Sequence, residues 1–181
     1  HRFVVCGDIQ KMFCQTGIIE QHWKYQLFLW RGGDTNIDPR IYAMIPLMFG
    51  VSPSPFLAGR SVQAHAEKDE IVNKYTLAAE KVKKDLYVDD FFGGDDDEQE
   101  VIRLQRQLVE LFAEGGWRMT KFSSNSVLVM ESIPEEERLP GIIYDFDKED
   151  VELQMASTLG LKWNTHEDEY FVNLSNNLME P

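Results

Sequence analysis

"LYVDDFFGGDDDEQE", residues 86–100, contains seven acidic side chains in fifteen positions. The stretch predicts a strand, a tight turn at Asp89 and Asp90, and a returning strand. Like charges this dense repel one another, so the fold must either pair them with cations or expose them to water. We divide them into two groups. Asp89 and Asp90 are candidates for a metal site, whereas residues 95–98 start a predicted helix, where carboxylates cap free N–H groups.

The rest of the chain shows alternating strand and helix patterns. An apolar, β-branched run over 3–9 predicts a buried strand that carries Asp8 near its end. Further strands are predicted over 25–31, 40–47, 117–122, 157–163 and 169–174, and helices over 52–70, 74–85 and 97–114. The helix over 52–70 is predicted to have Ser54 as its N-cap and Pro55 in its first turn. The segment over 123–133 fits either helix or strand. Together the patterns predict an α+β domain.

Composition narrows the class of protein. The 181 residues suffice for one domain, and no apolar run approaches the roughly 20 residues of a membrane span. The four histidines are scattered and the two cysteines lack CxxC spacing, so the spacing predicts no zinc site. A net charge of −13 argues against a general nucleic-acid binder, because phosphate contacts need Lys and Arg. The chain begins with His1 inside a strand pattern, which suggests a fragment of a longer polypeptide.

Asp8 and the Asp89–Asp90 pair are far apart in sequence but each lies at a strand end. If their strands are neighbours in one sheet, the carboxylates converge at one edge and would repel each other unless Mg²⁺ binds. On spacing alone, Asp89 and Asp90 fit an ordinary hairpin turn equally well, because turns favour Asp.

Five motifs, in their order and spacing, resemble those of reverse transcriptases, and in detail those of the BEL/Pao class of LTR retroelements. They are DIQKMF (8–13), FGVSPSPF (49–56), YVDD (87–90), GGWRMTKFSSN (115–125) and LGLKW (159–163). The resemblance implies a polymerase palm, a ferredoxin-like antiparallel sheet backed by helices with partial fingers insertions. It also implies RNA-directed DNA polymerase activity, a two-metal nucleotidyl transfer from a dNTP to a primer 3′-OH.

The resemblance implies roles for residues at the reaction centre. Asp8 matches the first metal-binding aspartate, Asp89 the second, and Asp90 the adjacent acid, which is less directly catalytic. These three would hold two Mg²⁺ ions, with Mn²⁺ able to substitute, and the backbone carbonyl of Ile9 would contribute to the site. Lys121 matches a basic residue near the triphosphate, a candidate general acid, although a surface lysine explains this position equally well.

The resemblance also implies a nucleotide pocket. Phe13 matches the steric gate, whose ring would collide with a ribose 2′-OH and so select deoxynucleotides. Phe49 and Gly50 match the start of the segment that lines the nucleotide pocket and the template, and glycine there allows the backbone to approach a ligand closely.

Contacts to the primer follow from the same resemblance. Tyr87 would lie under the primer terminus, and Leu159, Gly160 and Leu161 match the hairpin that grips the primer end. Trp163 is expected to pack within the protein.

We therefore interpret residues 1–181 as a single reverse-transcriptase domain fragment, with a palm core (1–130), an acidic excursion (131–152) and a primer-grip-like hairpin (153–175). The implied partners are an RNA or DNA template-primer, a dNTP and the remainder of a polyprotein (protease, RNase H and integrase regions), with no membrane. Cytoplasmic virus-like particles and the nucleus are the expected locations. Because basic fingers and thumb regions are missing from the sequence, we expect weak or no polymerase activity from this chain alone.

Three alternatives remain open at this point. GGDDD (93–97) is similar to the GG[DE]EF hairpin of nucleotide cyclases, but it leads directly into a helical pattern while YVDD occupies the hairpin tip. A calcium site over 95–100 lacks the glycine and terminal glutamate of an EF-hand loop. A decayed or domesticated copy could act as a nucleic-acid-binding or interaction module, although intact Asp8, Asp89 and Asp90 count against decay.

Overall fold

A computed structural model describes residues 1–140, 155–158, 161–165 and 169–171. The strands are β1 (Phe3–Ile9), β2 (Leu27–Trp30), β3 (Arg40–Ala43), β4 (Leu86–Tyr87), β5 (Asp90–Asp95), β6 (Met119–Ser124), β7 (Met155–Thr158), β8 (Leu161–Asn164) and β9 (Glu169–Phe171). The helices are α1 (Met12–Gln15), α2 (Ser54–Ala66), α3 (Asp69–Lys74), α4 (Thr76–Asp85), α5 (Glu98–Glu114) and α6 (Val127–Glu131), with 3₁₀ turns at Glu20–Tyr25 and Glu135–Glu137.

Four strands form the central sheet in the order β4-β5-β1-β6, and each neighbouring pair is antiparallel. Along the chain the order is β1, helices α2 to α4, the hairpin β4–β5, helix α5 and β6, which is the ferredoxin-like β-α-β-β-α-β topology. Helix α5 packs against β1, β5, β6 and α4. The predicted α+β class, an antiparallel sheet backed by helices, is confirmed.

Strand β1 separates two environments, because successive residues of a strand point to opposite faces of the sheet. Val5 and Ile9 are fully buried in the main core, which the helices cover. Val4 and Cys6 belong to a second apolar cluster on the opposite face. Asp8 follows Cys6 by two residues, so the strand directs its carboxylate to the face opposite the helices.

The acidic run after β5 starts helix α5, as predicted. Asp97 is the N-cap, and its side chain accepts a 2.9 Å hydrogen bond from the backbone N–H of Gln99. The Asp95 carboxylate accepts from the backbone N–H of Asp97 at 3.0 Å, and the Asp96 carboxylate accepts from that of Arg2 at 2.9 Å. Each of these three acids therefore accepts a hydrogen bond from a backbone N–H group, which agrees with a structural role for the second acidic group.

Two helix boundaries differ from the predictions. Helix α2 begins at Ser54 itself, with Pro53 at the N-cap position, because Pro53 already has helical dihedral angles and Ser54 donates its N–H to the carbonyl of Val51. The predicted N-cap role of Ser54 is therefore wrong. The helix predicted over 74–85 is interrupted at Tyr75, whose ψ of 51° separates α3 from α4. The ambiguous segment over 123–133 contains α6, capped by the Ser126 side chain.

Strands β2 and β3 form a separate two-stranded antiparallel sheet between α1 and α2, and both predicted strands are present. Apolar side chains on this hairpin are exposed to solvent, among them Leu29 (65%), Trp30 (57%) and Ile41 (69%). Backbone hydrogen bonds from Ile18 to Ile45 and from Leu47 to Thr16 join its base to the end of α1.

A third sheet, β7-β8-β9, follows at the C-terminal end of the described chain. The segment predicted to form the primer-grip-like hairpin (153–175) thus contains three strands, and the single strand predicted over 157–163 is divided between β7 and β8. Trp163 on β8 is 1% exposed and packs with Cys6 in the second apolar cluster, which confirms its packing role. Most of the predicted acidic excursion, over 141–152, lies outside the described residues. No helix in the described parts of the chain is long and apolar enough to cross a membrane.

Candidate active site

Asp8 and Asp90 lie directly opposite each other on the neighbouring strands β1 and β5. Their Cα atoms are register partners in the antiparallel β1–β5 ladder, so both side chains point to the same face. Val88 and Asp89 form the turn between β4 and β5, and the backbone carbonyl of Asp89 accepts a 2.8 Å hydrogen bond from the N–H of Ile9. The hairpin tip is therefore fastened to the end of β1, and all three predicted aspartates lie at one edge of the sheet.

The electrostatics of this edge disfavour ionisation of Asp90. Partial burial, together with the negative charges of Asp89 and Asp8, raises the pKa of Asp90, and the nearby charge of Lys121 opposes this shift. A raised carboxyl pKa means that ionising Asp90 is more costly in the folded chain than in water. The fold thus holds negative charge here that a cation would stabilise.

Lys121 supplies a positive charge at the same edge. Its Nζ lies 3.3 Å from Oδ1 of Asp8. The β1–β6 register shifts between Cys6 and Asp8, so that Lys121 and Phe122 together stand opposite the single residue Gly7. This is a β-bulge, a feature that redirects a side chain, and here it accompanies a lysine that reaches the first aspartate.

Strained backbone is concentrated around these residues. Within the described chain, the non-glycine residues with positive φ are Lys11 (50°), Val88 (55°) and Lys121 (56°). Lys11 follows Asp8 by three residues, Val88 precedes Asp89, and Lys121 contacts Asp8. Such conformations cost roughly 1–3 kcal/mol each and tend to occur at functional sites, where the surrounding structure maintains them.

A cavity of about 400 Å³ opens on this face of the sheet. Asp8, Asp90 and Lys121 line it, together with Cys6, Phe92 and the Leu139–Pro140 segment. Sequence reasoning missed the apolar members of this lining. A period-2 signal could have found two of them, because Cys6 and Phe92 each lie two residues from an aspartate on the same strand.

Three of the four residues predicted to bind the nucleotide, all except Ile9, form a second part of the site. The rings of Phe13, in α1, and Phe49 have centroids 4.8 Å apart and are tilted by 37°. Phe49 is 68% exposed and Phe13 is partly buried against the main core. Gly50 has a φ of 79°, which residues with a side chain rarely adopt, so glycine is favoured there. The structure brings these residues together, but their role in nucleotide binding stays a prediction.

The structure describes only some of the residues that are predicted to contact the primer. Tyr87 is 63% exposed and pairs with Asp90 across the hairpin. Leu159 and Gly160 lie outside the described residues, and Leu161 begins β8. The contribution of the Ile9 backbone carbonyl to the metal site remains a prediction. The primer-binding role of Tyr87, Leu159, Gly160 and Leu161 also remains a prediction.

The side chains at this edge can be tested for their fit to Mg²⁺. In the parts of the chain that the structure defines, no group of three or more His, Cys, Asp and Glu side chains is close enough to hold a metal ion. Mg²⁺, however, is usually bound by one or two carboxylates that are completed by water and substrate phosphates. The facing pair Asp8 and Asp90 supplies two hard oxygen ligands on one cavity wall, so these residues fit Mg²⁺ in that incomplete form.

The fold itself is similar to that of solved reverse transcriptases. The foamy viral protease-reverse transcriptase in complex with an RNA/DNA hybrid matches 99% of this chain with a TM-score of 0.57 and 14% identity. The foamy viral protease-reverse transcriptase dRH in complex with double-stranded DNA matches 100% of the chain with a TM-score of 0.55 and 12% identity.

This chain therefore has a reverse transcriptase-like fold. It spans 19% and 25% of the length of those two chains. No protein-family model matches the sequence, and no curated protein matches it.

Proposed function

We propose that this chain is the palm-centred part of an RNA-directed DNA polymerase from a BEL/Pao-type LTR retroelement, which extends a primer 3′-OH with dNTPs. The observation that carries the proposal is the facing pair Asp8 and Asp90 beside a strained hairpin tip, in a reverse transcriptase-like fold. The ordered sequence motifs support the finer assignment to the BEL/Pao class.

Asp8 and Asp90 would hold Mg²⁺ at the edge of the sheet, and Asp89, in the adjoining turn, is the third proposed ligand. Bound there, Mg²⁺ would activate the primer hydroxyl and neutralise charge on the triphosphate. The protein's part is mainly to position charges, because phosphoryl transfer needs little covalent help from side chains. Lys121 is close enough to this edge to act on the triphosphate, and we propose it as the proton donor to the leaving pyrophosphate.

Phe13 would select the sugar. Its ring packs against Phe49, so the surrounding structure limits how far it can move away from an incoming nucleotide. A rigid ring next to the sugar would exclude a 2′-OH. Phe13→Val is therefore expected to bind dGTP about as well as the parent chain does but to admit GTP, measured by equilibrium dialysis of both nucleotides with Mg²⁺.

Nucleotide binding tests the proposal directly on the 181-residue chain. We expect dTTP to bind only in the presence of Mg²⁺ or Mn²⁺, and at least about tenfold more weakly to Asp8→Asn, a loss of about 1.4 kcal/mol. Asp38→Asn, which neutralises an exposed loop carboxylate, should bind like the parent chain. Binding is the primary readout because we expect the isolated chain to extend primers weakly or not at all.

The same experiment separates the enzyme from an interaction module. A non-catalytic module would bind a primed RNA template equally well with Asp8 or Asn at position 8, and would show no divalent-dependent binding of dTTP. That combination of results would overturn the proposed function.

A further inference from the structure

The ion pair between Lys121 and Asp8 is held by the fold. Lys121 has a φ of 56°, a conformation that a glycine would adopt at far lower cost. The neighbouring Phe122 is fully buried, and a Cβ on Gly7 would come within 2.7 Å of its ring. The carbonyl of Phe122 accepts a 2.9 Å hydrogen bond from the N–H of Leu139. The bulge is thus fixed from both sides, and it keeps the lysine beside Asp8.

The ammonium group takes part of the coordination space of Asp8. Nζ lies 3.3 Å from Oδ1, and the side chain of Asp8 is only 22% exposed whereas that of Lys121 is 50% exposed. A divalent ion held by Asp8 needs the same carboxylate oxygens and repels the ammonium group. The long, half-exposed side chain of Lys121 can move into solvent, whereas the shorter and more buried side chain of Asp8 has less room to do so.

We propose that Lys121 is a displaceable counter-ion, which neutralises Asp8 in the metal-free chain and is released when a divalent cation binds. The inference rests on the proposed function, because it takes Asp8 as a metal ligand. It adds that metal binding at Asp8 is coupled to the release of Lys121. Metal binding would free the lysine, so that this side chain becomes available to a triphosphate only after the metal has bound.

A metal titration tests the competition. Mn²⁺ binding to the full 181-residue chain is measured from the electron paramagnetic resonance signal of free Mn²⁺, without nucleotide. Lys121→Gln is expected to bind Mn²⁺ about two- to fivefold more tightly, the scale of a partly exposed ion pair. Lys84→Gln is the matched control, since Lys84 forms an exposed ion pair with Glu80 on α4, and its affinity should equal that of the parent chain.

Chemical reactivity tests the release. The chain is acetylated at low conversion, at constant ionic strength, and each lysine is quantified by mass spectrometry. Mg²⁺ should increase acetylation of Lys121 relative to Lys84. Asp8→Asn should increase it without Mg²⁺ and should remove the effect of Mg²⁺. This readout needs no catalysis and also reports on the ion pair itself.

The outcomes separate this inference from the proposed function. If the parent chain and Lys121→Gln bind Mn²⁺ equally, and Mg²⁺ leaves the reactivity of Lys121 unchanged, the counter-ion role is wrong although the metal site stands. If neither chain binds Mn²⁺, both proposals are overturned. Tighter binding by Lys121→Gln together with Mg²⁺-dependent exposure of Lys121 supports the inference.

Discussion

Phe122 packs across Gly7 so closely that a Cβ atom at residue 7 would lie 2.7 Å from Cε1 of the ring. The contact joins β1 to the bulge in β6, where Phe122 shares the space opposite Gly7 with Lys121. A side chain at position 7 cannot be accommodated without moving the buried ring. The glycine between Cys6 and Asp8 is therefore part of what holds the candidate site together.

Gly7→Ala is expected to destabilise the chain by about 1–3 kcal/mol, the usual cost of overpacking a close-packed core. Urea unfolding measures the change. Gly59→Ala is the control, because nothing lies within 4 Å of a Cβ placed there and the residue is inside helix α2. That substitution should stabilise the chain by up to about 1 kcal/mol. Equal effects of the two substitutions would contradict the packing argument.

Val88, at the hairpin tip, is expected to be under strain that a substitution can relieve. Its φ of 55° is costly for a β-branched residue, by about 1–2 kcal/mol, whereas Asn tolerates this conformation. The side chain is 38% exposed, so little buried contact is lost on replacement. Val88→Asn should raise the free energy of unfolding by about 0.5–1 kcal/mol.

Val88→Ala serves as the control for that prediction. Alanine removes the branched side chain but gains none of the tolerance of Asn for positive φ, so its stability should lie below that of Val88→Asn. If both variants prove less stable than the parent chain in urea, the valine side chain stabilises the turn and the strain argument is wrong.

Much of this site could be predicted because its signals are local in the sequence. The apolar run over 3–9 matches β1 residue for residue, and the predicted helix over 97–114 corresponds to α5 with Asp97 as its cap. The predicted tight turn is also present, although it is formed by Val88 and Asp89 and not by Asp89 and Asp90. Each of these features depends on the propensities and spacing of neighbouring residues, which a single sequence contains.

The remaining features depend on contacts between distant strands. The register that places Asp90 directly opposite Asp8 shifts every side chain if it slips by one residue, and no local pattern fixes it. The bulge at Lys121 results from the packing of Phe122 over Gly7, residues that are far apart in sequence. For the same reason, the left-handed backbone at Lys121 and Val88 could not be predicted from local sequence patterns.

The second acidic group, residues 95–98, should stabilise the folded chain without taking part in metal binding. Asp97→Ala removes the hydrogen bond that caps α5 and is expected to cost about 1 kcal/mol of stability. Asp69→Ala is the control, because Asp69 also lies in the first turn of a helix, α3, whose N-cap makes no side-chain hydrogen bond. Its loss should be clearly smaller in urea unfolding.

Metal binding is measured on a further variant of the same group. Asp95→Asn combined with Asp96→Asn keeps the oxygen acceptors for the backbone N–H groups of Asp97 and Arg2. It should cost modest stability and leave Mn²⁺ affinity unchanged. Loss of Mn²⁺ binding in this double variant would mean that the division of the acidic run into a metal-binding and a structural group is wrong.

Asp90→Asn is expected to stabilise the metal-free chain at neutral pH. Burial and the charges of Asp89 and Asp8 raise the pKa of Asp90 in the folded chain. A raised carboxyl pKa lowers stability as the pH rises from the unfolded-state pKa to the folded-state pKa, because in this range the unfolded chain has lost a proton that the folded chain still holds. Removing the charge should add about 0.2–1 kcal/mol at pH 7, the scale of a like-charge pair facing each other in a sheet.

The pH dependence of this gain follows from its cause. Below the unfolded-state pKa of about 4, Asp90 is protonated in both states, so the difference between Asp90→Asn and the parent chain should disappear. The difference should grow as the pH rises from the unfolded-state pKa to the folded-state pKa and then stay constant. Urea unfolding from pH 3.5 to pH 8, with a chelator present, measures this difference in the free energy of unfolding. Asp38→Asn, in an exposed loop, should show no such trend. A variant less stable than the parent chain at pH 7 would show that the Asp90 carboxylate makes stabilising contacts that outweigh its repulsion from Asp8.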